Sequence, residues 1–332
     1  MTMDRRQFVR ALKTTALAVG LSVLAASGAA AQGAFPSKPI QLIIPFAPGG
    51  ATDLTSRALA KAAEAKLGQP IAIINKPAGG GAVAMQEVSR AQPDGYTLIN
   101  FTAIQAAIAP HMRDVPYDPV KGFTPVMLYG AFNTYVAVRS DSPYKSLAEL
   151  LDFAKKNPRV LTSGISVIGA SSHLGMARLA SDSGAQVTFV PFGGGAPAIT
   201  ALLGRHVSSA VTSGEVLPHV KSGDVRLLAT LMNKRAPETP EVPTVRELGF
   251  AWDINSWLGI AGPPGIPAEV LSRLEKAFLE AMEDAAFKKS MTDLAMVTAA
   301  SDAAQARTQI ESDVQVFGDI LKSLKMGRYT QN

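Results

Sequence analysis

The 332-residue chain contains no cysteine. That absence excludes disulfides, thiolate catalysis, iron–sulfur clusters and anchoring through an acylated cysteine. Histidine is also scarce: the four are His111, His173, His206 and His219. No two of them stand at i, i+4 and no HExxH occurs, so spacing gives no metal site. Without a run of Lys or Arg, the chain lacks an electrostatic footprint for nucleic acid or for an anionic membrane. No tandem repeat is evident. A nucleophile elbow needs Gly-x-Ser-x-Gly, and Gly169-Ala170-Ser171-Ser172-His173 fails at its last position.

What is present begins with a three-part N-terminus. Arg5, Arg6, Arg10 and Lys13 precede an apolar segment from Ala16 to Ala26, and Ala29-Ala30-Ala31 supplies small residues before Gln32. This predicts a secretory signal peptide over residues 1–31. The apolar segment falls short of the ~20 residues of a permanent membrane anchor. Arg5-Arg6 followed by Gln7-Phe8-Val9 resembles a twin-arginine signal, while Asp4 keeps ordinary export open. A buried N-terminal helix is the alternative. Cleavage after Ala31 would remove four of the 32 basic residues and one of the 27 acidic ones, lowering the net charge from +5 to +2. The mature protein is expected in the periplasm, freely soluble.

At ~150 residues per domain, the mature length suggests two domains. Ile40 to Phe46, Ile71 to Ile74, Tyr96 to Phe101, Tyr135 to Val138, Val187 to Phe192 and Arg226 to Thr230 read as short buried strands bounded by Gly, Pro, Asn or Asp. Helical patterns lie between several of them. Thr52 or Asp53 is placed to cap the first helix, with Leu54, Ala58, Leu59, Ala62 and Ala63 as its apolar face. Such alternation predicts parallel sheets covered by helices on both faces. Beyond Pro263-Pro264-Gly265-Ile266-Pro267, Ala268 to Leu294 and Ala303 to Leu324 read as long amphipathic helices.

The most telling stretch is Gln41-Leu42-Ile43-Ile44-Pro45-Phe46-Ala47-Pro48-Gly49-Gly50-Ala51-Thr52-Asp53, an apolar strand that breaks at prolines and glycines and then opens a helix. Glycines let a ligand approach the backbone, and the first N–H groups of a helix are unpaired and partly positive. The expected guest is an anion.

Further blocks make a resemblance specific. They are Gln92-Pro93-Asp94-Gly95-Tyr96-Thr97-Leu98, Pro116-Tyr117-Asp118-Pro119-Val120-Lys121-Gly122-Phe123-Thr124-Pro125-Val126, Leu217-Pro218-His219-Val220-Lys221-Ser222-Gly223, Pro240-Glu241-Val242-Pro243-Thr244-Val245 and Ser256-Trp257-Leu258-Gly259. In order and spacing the chain resembles the substrate-binding receptors of tripartite tricarboxylate transporters, the Bug family, over essentially its whole mature length. The resemblance implies an α/β protein of the type II periplasmic-binding-protein fold, two α/β domains closing over a ligand cleft. Domain 1 is then residues 36–138 plus 252–332, and domain 2 is residues 139–251. The implied function is a periplasmic solute-binding receptor. It would capture a small organic carboxylate and deliver it to the membrane components of the transporter, as a monomer with no cofactor, no metal and no catalysis.

Four loops are expected at the cleft. The first, Phe46, Ala47, Pro48, Gly49, Gly50, Ala51, Thr52 and Asp53, matches the family's first ligand loop, although Asp53 reads equally as a partner of the helix dipole. The second runs from Asn75 through Gly79, Gly80, Gly81 and Ala82. Ala82 and Val83 stand where the family is usually polar, and Lys76 is either a ligand contact or solvated. Thr102 lies at the same strand edge. The third loop contributes Ser166, Gly169, Ala170, Ser171, Ser172 and His173; the two serines sit where a helix N-cap is needed, so hydroxyls and N–H groups together suit a carboxylate. His173 reads as structural or as a contact. In the fourth loop Phe192-Gly193 replaces the family's aromatic–Lys pair, and Thr212, Ser213 and Glu215 are candidates to compensate, Glu215 being alternatively a surface acid. Ala82, Val83, Ile165 and Val167 point to a ligand with an apolar portion.

Two other functions share this pattern. The same fold can serve as an extracytoplasmic ligand sensor for a signalling partner. An exported enzyme is the other: Gly193 to Ala198 is Gly-x-Gly-x-x-Ala with Glu215 some way beyond, superficially a dinucleotide fingerprint, but Pro197 intrudes into its helix.

Overall fold

The computed structural model describes residues 35–254 and 256–330. The signal peptide expected over residues 1–31 lies outside them. The chain begins with β1 (Ile40–Ile44), α1 (Ala51–Leu67), β2 (Ile71–Asn75), α2 (Ala82–Ser89), β3 (Thr97–Thr102), α3 (Ala109–Met112) and β4 (Thr124–Phe132). It continues through β5 (Tyr135–Arg139), α4 (Leu147–Lys156), β6 (Thr162–Ile165), α5 (Ser171–Ser183), β7 (Thr188–Pro191), α6 (Gly195–Leu203), β8 (Ser209–Thr212), α7 (Leu217–Lys221) and β9 (Val225–Thr230). It then returns as β10 (Ser256–Gly262), α8 (Ala268–Ala281), α9 (Ala285–Asp293), β11 (Met296–Ser301) and α10 (Ala303–Ser323).

These strands form two sheets. One has six strands in the order β11-β4-β10-β3-β1-β2, the other five in the order β7-β6-β8-β5-β9. The expectation of wholly parallel sheets is corrected. β1 runs parallel to β2 and β3, and β6 parallel to β7 and β8. β10, however, is antiparallel to β3 and β4, and β5 is antiparallel to β8 and β9. β5 enters its sheet straight from β4 of the other, and β10 enters on the return path. Neither arrives by a helical crossover, which is what would enforce parallel pairing.

Five strands are absent from the sequence reading, and four of them share a cause. β4 contains Pro125 and Gly130, β6 and β8 are four-residue runs of mostly small residues, and β10 carries Gly259 and Gly262. A Cβ at Gly259 would fall 2.5 Å from the Met127 carbonyl oxygen, so close strand packing demands glycine where a local reading sees a turn.

Helix details also differ. Ala268 to Leu294 is two helices, because Asp284 accepts the Ala286 and Phe287 N–H groups and caps α9. The N-cap of α1 is Gly50, not Thr52 or Asp53. Its buried face is Thr52, Asp53, Thr55, Ser56, Leu59, Ala60, Ala63 and Leu67, while Leu54 is exposed. The helix is turned by a polar contact: the Tyr129 hydroxyl lies 3.2 Å from Ser56 Oγ, and Asn100 Nδ2 donates to both. Each sheet has apolar clusters on its two faces. α10 serves both, placing Ala306 and Ile310 in a cluster of the first sheet and Phe317, Ile320 and Leu321 in one of the second.

Candidate functional site

The chain crosses between the sheets at Asn133-Thr134 and again just before β10. Backbone bonds stitch the crossings together: Leu231 N–H donates to the Thr134 carbonyl at 2.8 Å, and Ile254 N–H to the Leu231 carbonyl at 2.8 Å. Thr230 Oγ1 donates to Asn133 Oδ1 at 3.0 Å. Above this seam lies a cavity of about 220 Å³. The first sheet's side contributes Phe46, Thr52, Thr102, Ala103 and Ile104; the crossing segments contribute Phe132, Thr134, Ser256 and Trp257; the second sheet's side contributes Ser166, Ala170, Ser171, Ser172, Gly195, Val211, Thr212, Ser213 and Glu215.

Its strongest feature is the start of α5. The N-cap is Ala170, in extended conformation with no side-chain cap, so Ser171 and Ser172 are the first two helical residues and do not cap the helix. The first intrahelical bond is Leu174 N–H to Ala170 O at 2.9 Å. That leaves the N–H groups of Ser171, Ser172 and His173 without helical partners, at the positive end of the helix dipole. Ser256 Oγ donates to Ser171 Oγ at 2.7 Å, which frees the Ser171 proton to be given elsewhere. The Ser166 and Ser172 hydroxyls are 3.0 Å apart. An anion here meets donors that are already oriented and need no reorganisation.

Among the described residues no Lys, Arg or His lines the cavity, and its one ionisable side chain is Glu215. Glu215 Oε1 accepts from Thr212 Oγ1 at 2.7 Å and from Ser213 N–H at 3.2 Å. A Cβ at Gly195 would fall 1.5 Å from that oxygen, so the glycine opening α6 is what lets the carboxylate sit there. The Trp257 indole N–H donates to Asp313 Oδ2 at 2.7 Å, fixing the ring that forms part of the wall. Burial pushes the Asp313 carboxyl up to about 6, against the lowering influence of Gln309 and Trp257.

The expected site residues divide. Phe46, Thr52, Thr102, Ser166, Ala170, Ser171, Ser172 and Ser213 line the cavity. Thr102 donates to the Gln105 side-chain oxygen. Ala47, Pro48, Gly49 and Gly50 are exposed and outside the lining, and Ala51 borders an adjoining groove. The backbone cradle has an internal guest: Gly49 N–H donates at 2.9 Å to Asp53, which also accepts from Arg57 Nε at 3.0 Å and Asn75 Nδ2 at 2.8 Å. Burial alone would raise the Asp53 carboxyl, but Arg57, the Gly49 N–H and Asn75 outweigh it and hold it below the ordinary value.

Gly79, Gly80, Gly81 and Ala82 also stand outside the lining. Arg113 covers that turn, its Nη2 donating to the Gly79 carbonyl at 3.0 Å. Lys76 pairs with Glu87 at 2.6 Å. Gly169 and His173 serve the loop itself: Gly169 N–H donates to His173 Nδ1 at 3.1 Å, and the ring is buried edge-on to Phe189, which lowers its basicity. Gly193 is exposed and outside the lining. The sequence reading missed Phe132, Thr134, Val211, Ser256 and Trp257. Of these only Ser256-Trp257 carried any signal, as part of a family block.

Two α/β lobes, joined by crossing strands with a donor-lined cavity at the seam, define a periplasmic binding protein, a class that closes on its ligand by hinge motion. Residues 55–326 match the model of the tripartite tricarboxylate transporter family receptor, and the chain belongs to that family of solute-binding proteins. It is 28% identical over 292 residues to the protein BugT of Bordetella pertussis, covering 87% of this chain and 90% of BugT. A ligand-free TctC solute-binding protein from Polaromonas superposes with a TM-score of 0.80 at 26% identity, covering 87% of this chain and 99% of that one. Rpa4515 of R. palustris, solved with adipate, superposes with a TM-score of 0.72 at 25% identity, covering 88% and 99%. Among the described residues no helix is long and apolar enough to cross a membrane, and no group of three or more His, Cys, Asp or Glu is placed to hold a metal.

Proposed function

We propose that this receptor captures a small organic carboxylate in the cavity between its lobes and delivers it to the membrane components of a tripartite tricarboxylate-type transporter. The observation that carries the carboxylate is the start of α5, whose first residues Ser171 and Ser172, with unpaired N–H groups and the free proton of Ser171, line a cavity without a cationic side chain among the described residues. Such a site holds an anion by neutral donors and a helix dipole. The adipate bound by Rpa4515 supports the ligand class.

The division into residues 36–138 with 252–332 against 139–251 is amended at its first boundary, which falls at Asn133-Thr134, because β5 is bonded into the second sheet and moves with it. The protein acts after export, as a monomer, and without catalysis. A calorimetric and thermal-shift survey of mono-, di- and tricarboxylates tests the reading, since a ligand bound only by the folded state raises its melting point. At least one carboxylate should bind and be recovered unchanged. Binding by none overturns the proposal. Turnover of the ligand would make the protein an enzyme. Delivery predicts that purified membrane components retain the ligand-loaded receptor and not the empty one.

A further inference from the structure

We infer that the ligand is an ammonium carboxylate, an amino-acid-like zwitterion whose carboxylate sits at the start of α5 and whose cationic group faces Glu215. This rests on the carboxylate reading above and names the class of compound the same cavity takes.

The argument starts from charge. Among the described residues the lining carries many neutral donors, no cation, and one acid. Glu215 is seated rather than loose: Thr212 Oγ1 and Ser213 N–H hold Oε1, and Gly195 gives it room against the start of α6. Among the described residues Oε2 accepts no hydrogen bond, and no Lys or Arg pairs with the carboxylate. A fixed carboxylate with a free oxygen at the wall of a binding cavity calls for a donor from the ligand.

The surroundings reinforce that sign. Glu215 also borders the adjoining groove of about 480 Å³, where Glu238 stands against Lys221 and Asp293 is already paired with Lys289 at 2.6 Å. A dicarboxylate with one end at α5 would bring its second negative charge toward Glu215. An ammonium group there gains attraction where a carboxylate meets repulsion, and the partly apolar setting strengthens both.

Two hydroxyls complete the recognition. Thr52 and Thr134 line the cavity, are only 8% and 2% exposed, and among the described residues have no hydrogen-bond partner for Oγ1. Both residues line the cavity, so their hydroxyls are available to ligand groups. A hydroxyl accepts from an ammonium group as readily as it donates to a carboxylate, so both ends of a zwitterion are served.

Isothermal calorimetry with chain-matched ω-amino acids and diacids, from the malonate length to the adipate length, reads the preference directly; α-amino acids of the same lengths locate the ammonium group. The intact mature protein should bind the best amino acid at least tenfold more tightly than its diacid counterpart. Glu215→Gln should reduce that ratio at least tenfold while leaving the melting point of the unliganded protein unchanged, and Glu215→Lys should reverse it in favour of diacids. Diacids that bind as tightly as the amino acids, or a ratio unmoved by Glu215→Gln, overturn the zwitterion and leave the carboxylate reading standing. Absence of binding by every carboxylate tested overturns both.

Discussion

Single residues decide most of the chemistry here, and the decisive ones are held by neighbours remote in sequence. Ser171 became a free donor only because Ser256, 85 residues away, donates to its oxygen. A hydrogen bond to a charged partner is worth roughly 1.5–3 kcal/mol, so Ser171→Ala should weaken carboxylate binding by about tenfold or more. Calorimetry checks this, and the melting point of the unliganded protein should stay near that of the wild type because Ser171 caps nothing. Asp313 gives a prediction with a definite sign. Its folded value of about 6 lies above the ordinary 3.8, so the protonated form is favoured in the native state. The stability this group confers is fully present below pH 3.8 and is lost as pH rises through about 6. Asp313→Asn should abolish that loss. Urea unfolding followed between these limits should show the wild type losing about 2–3 kcal/mol relative to the variant, because each tenfold difference in proton affinity between the folded and unfolded chain is worth ~1.4 kcal/mol. Trp257, bonded to this carboxyl, supplies the fluorescence signal.

At the scale of elements, helix starts in the two lobes have different occupants. The start of α1 is neutralised from within by Asp53, the start of α6 lies beside Glu215, which is held by Thr212 and Ser213, and the start of α5 has no acid at its N–H groups. Local sequence does not distinguish them, since all three follow a strand and a glycine-containing turn. Glycine has separate duties in these turns. Gly49, at φ +88°, makes the bend that delivers its N–H to Asp53, while Gly195 clears space for a side chain. Gly195→Ala therefore tests the seat of Glu215. The added methyl meets the far end of a flexible side chain, so the fold should survive, with a melting point within a few degrees of the wild type. Displacing the carboxylate should lower the preference for amino acids over diacids, as Glu215→Gln does. Circular dichroism and calorimetry on the same sample separate the two effects.

For the whole molecule, the cavity sits between bodies joined by crossing strands and by α10, whose two halves pack in different cores. A ligand held by both sides binds the closed arrangement better than the open one, and that difference in affinity is what drives closure. Saturating ligand should therefore reduce the radius of gyration seen by small-angle scattering and raise the melting point, by an amount equivalent to about 2.7 kcal/mol at a hundredfold excess over Kd. Exposed Val167 and Ile168 lie on the loop before α5, and Ile104 lines the cavity itself. Closure should reduce their exchange with solvent, readable as slower amide exchange in these segments.

The sequence by itself determined the alternation of strands and helices, the two-lobed class and the third loop as a strand-to-helix turn that brings serines to the cavity. Each of those is written in local periodicity, in turn residues, or in motif blocks that survive reading in one dimension. Tertiary structure alone decided that β5 and β10 run antiparallel, because direction in a sheet depends on where the chain enters it. It also decided that in the most conspicuous glycine loop, Pro45 to Gly50, the Gly49 N–H donates to the loop's own Asp53, a carboxylate held in place by Arg57 and Asn75. The cavity's wall came partly from Thr134, Ser256 and Trp257, polar and aromatic residues of ordinary strands. Their role follows from position at the crossing, and position is set by packing over distances the local sequence does not encode.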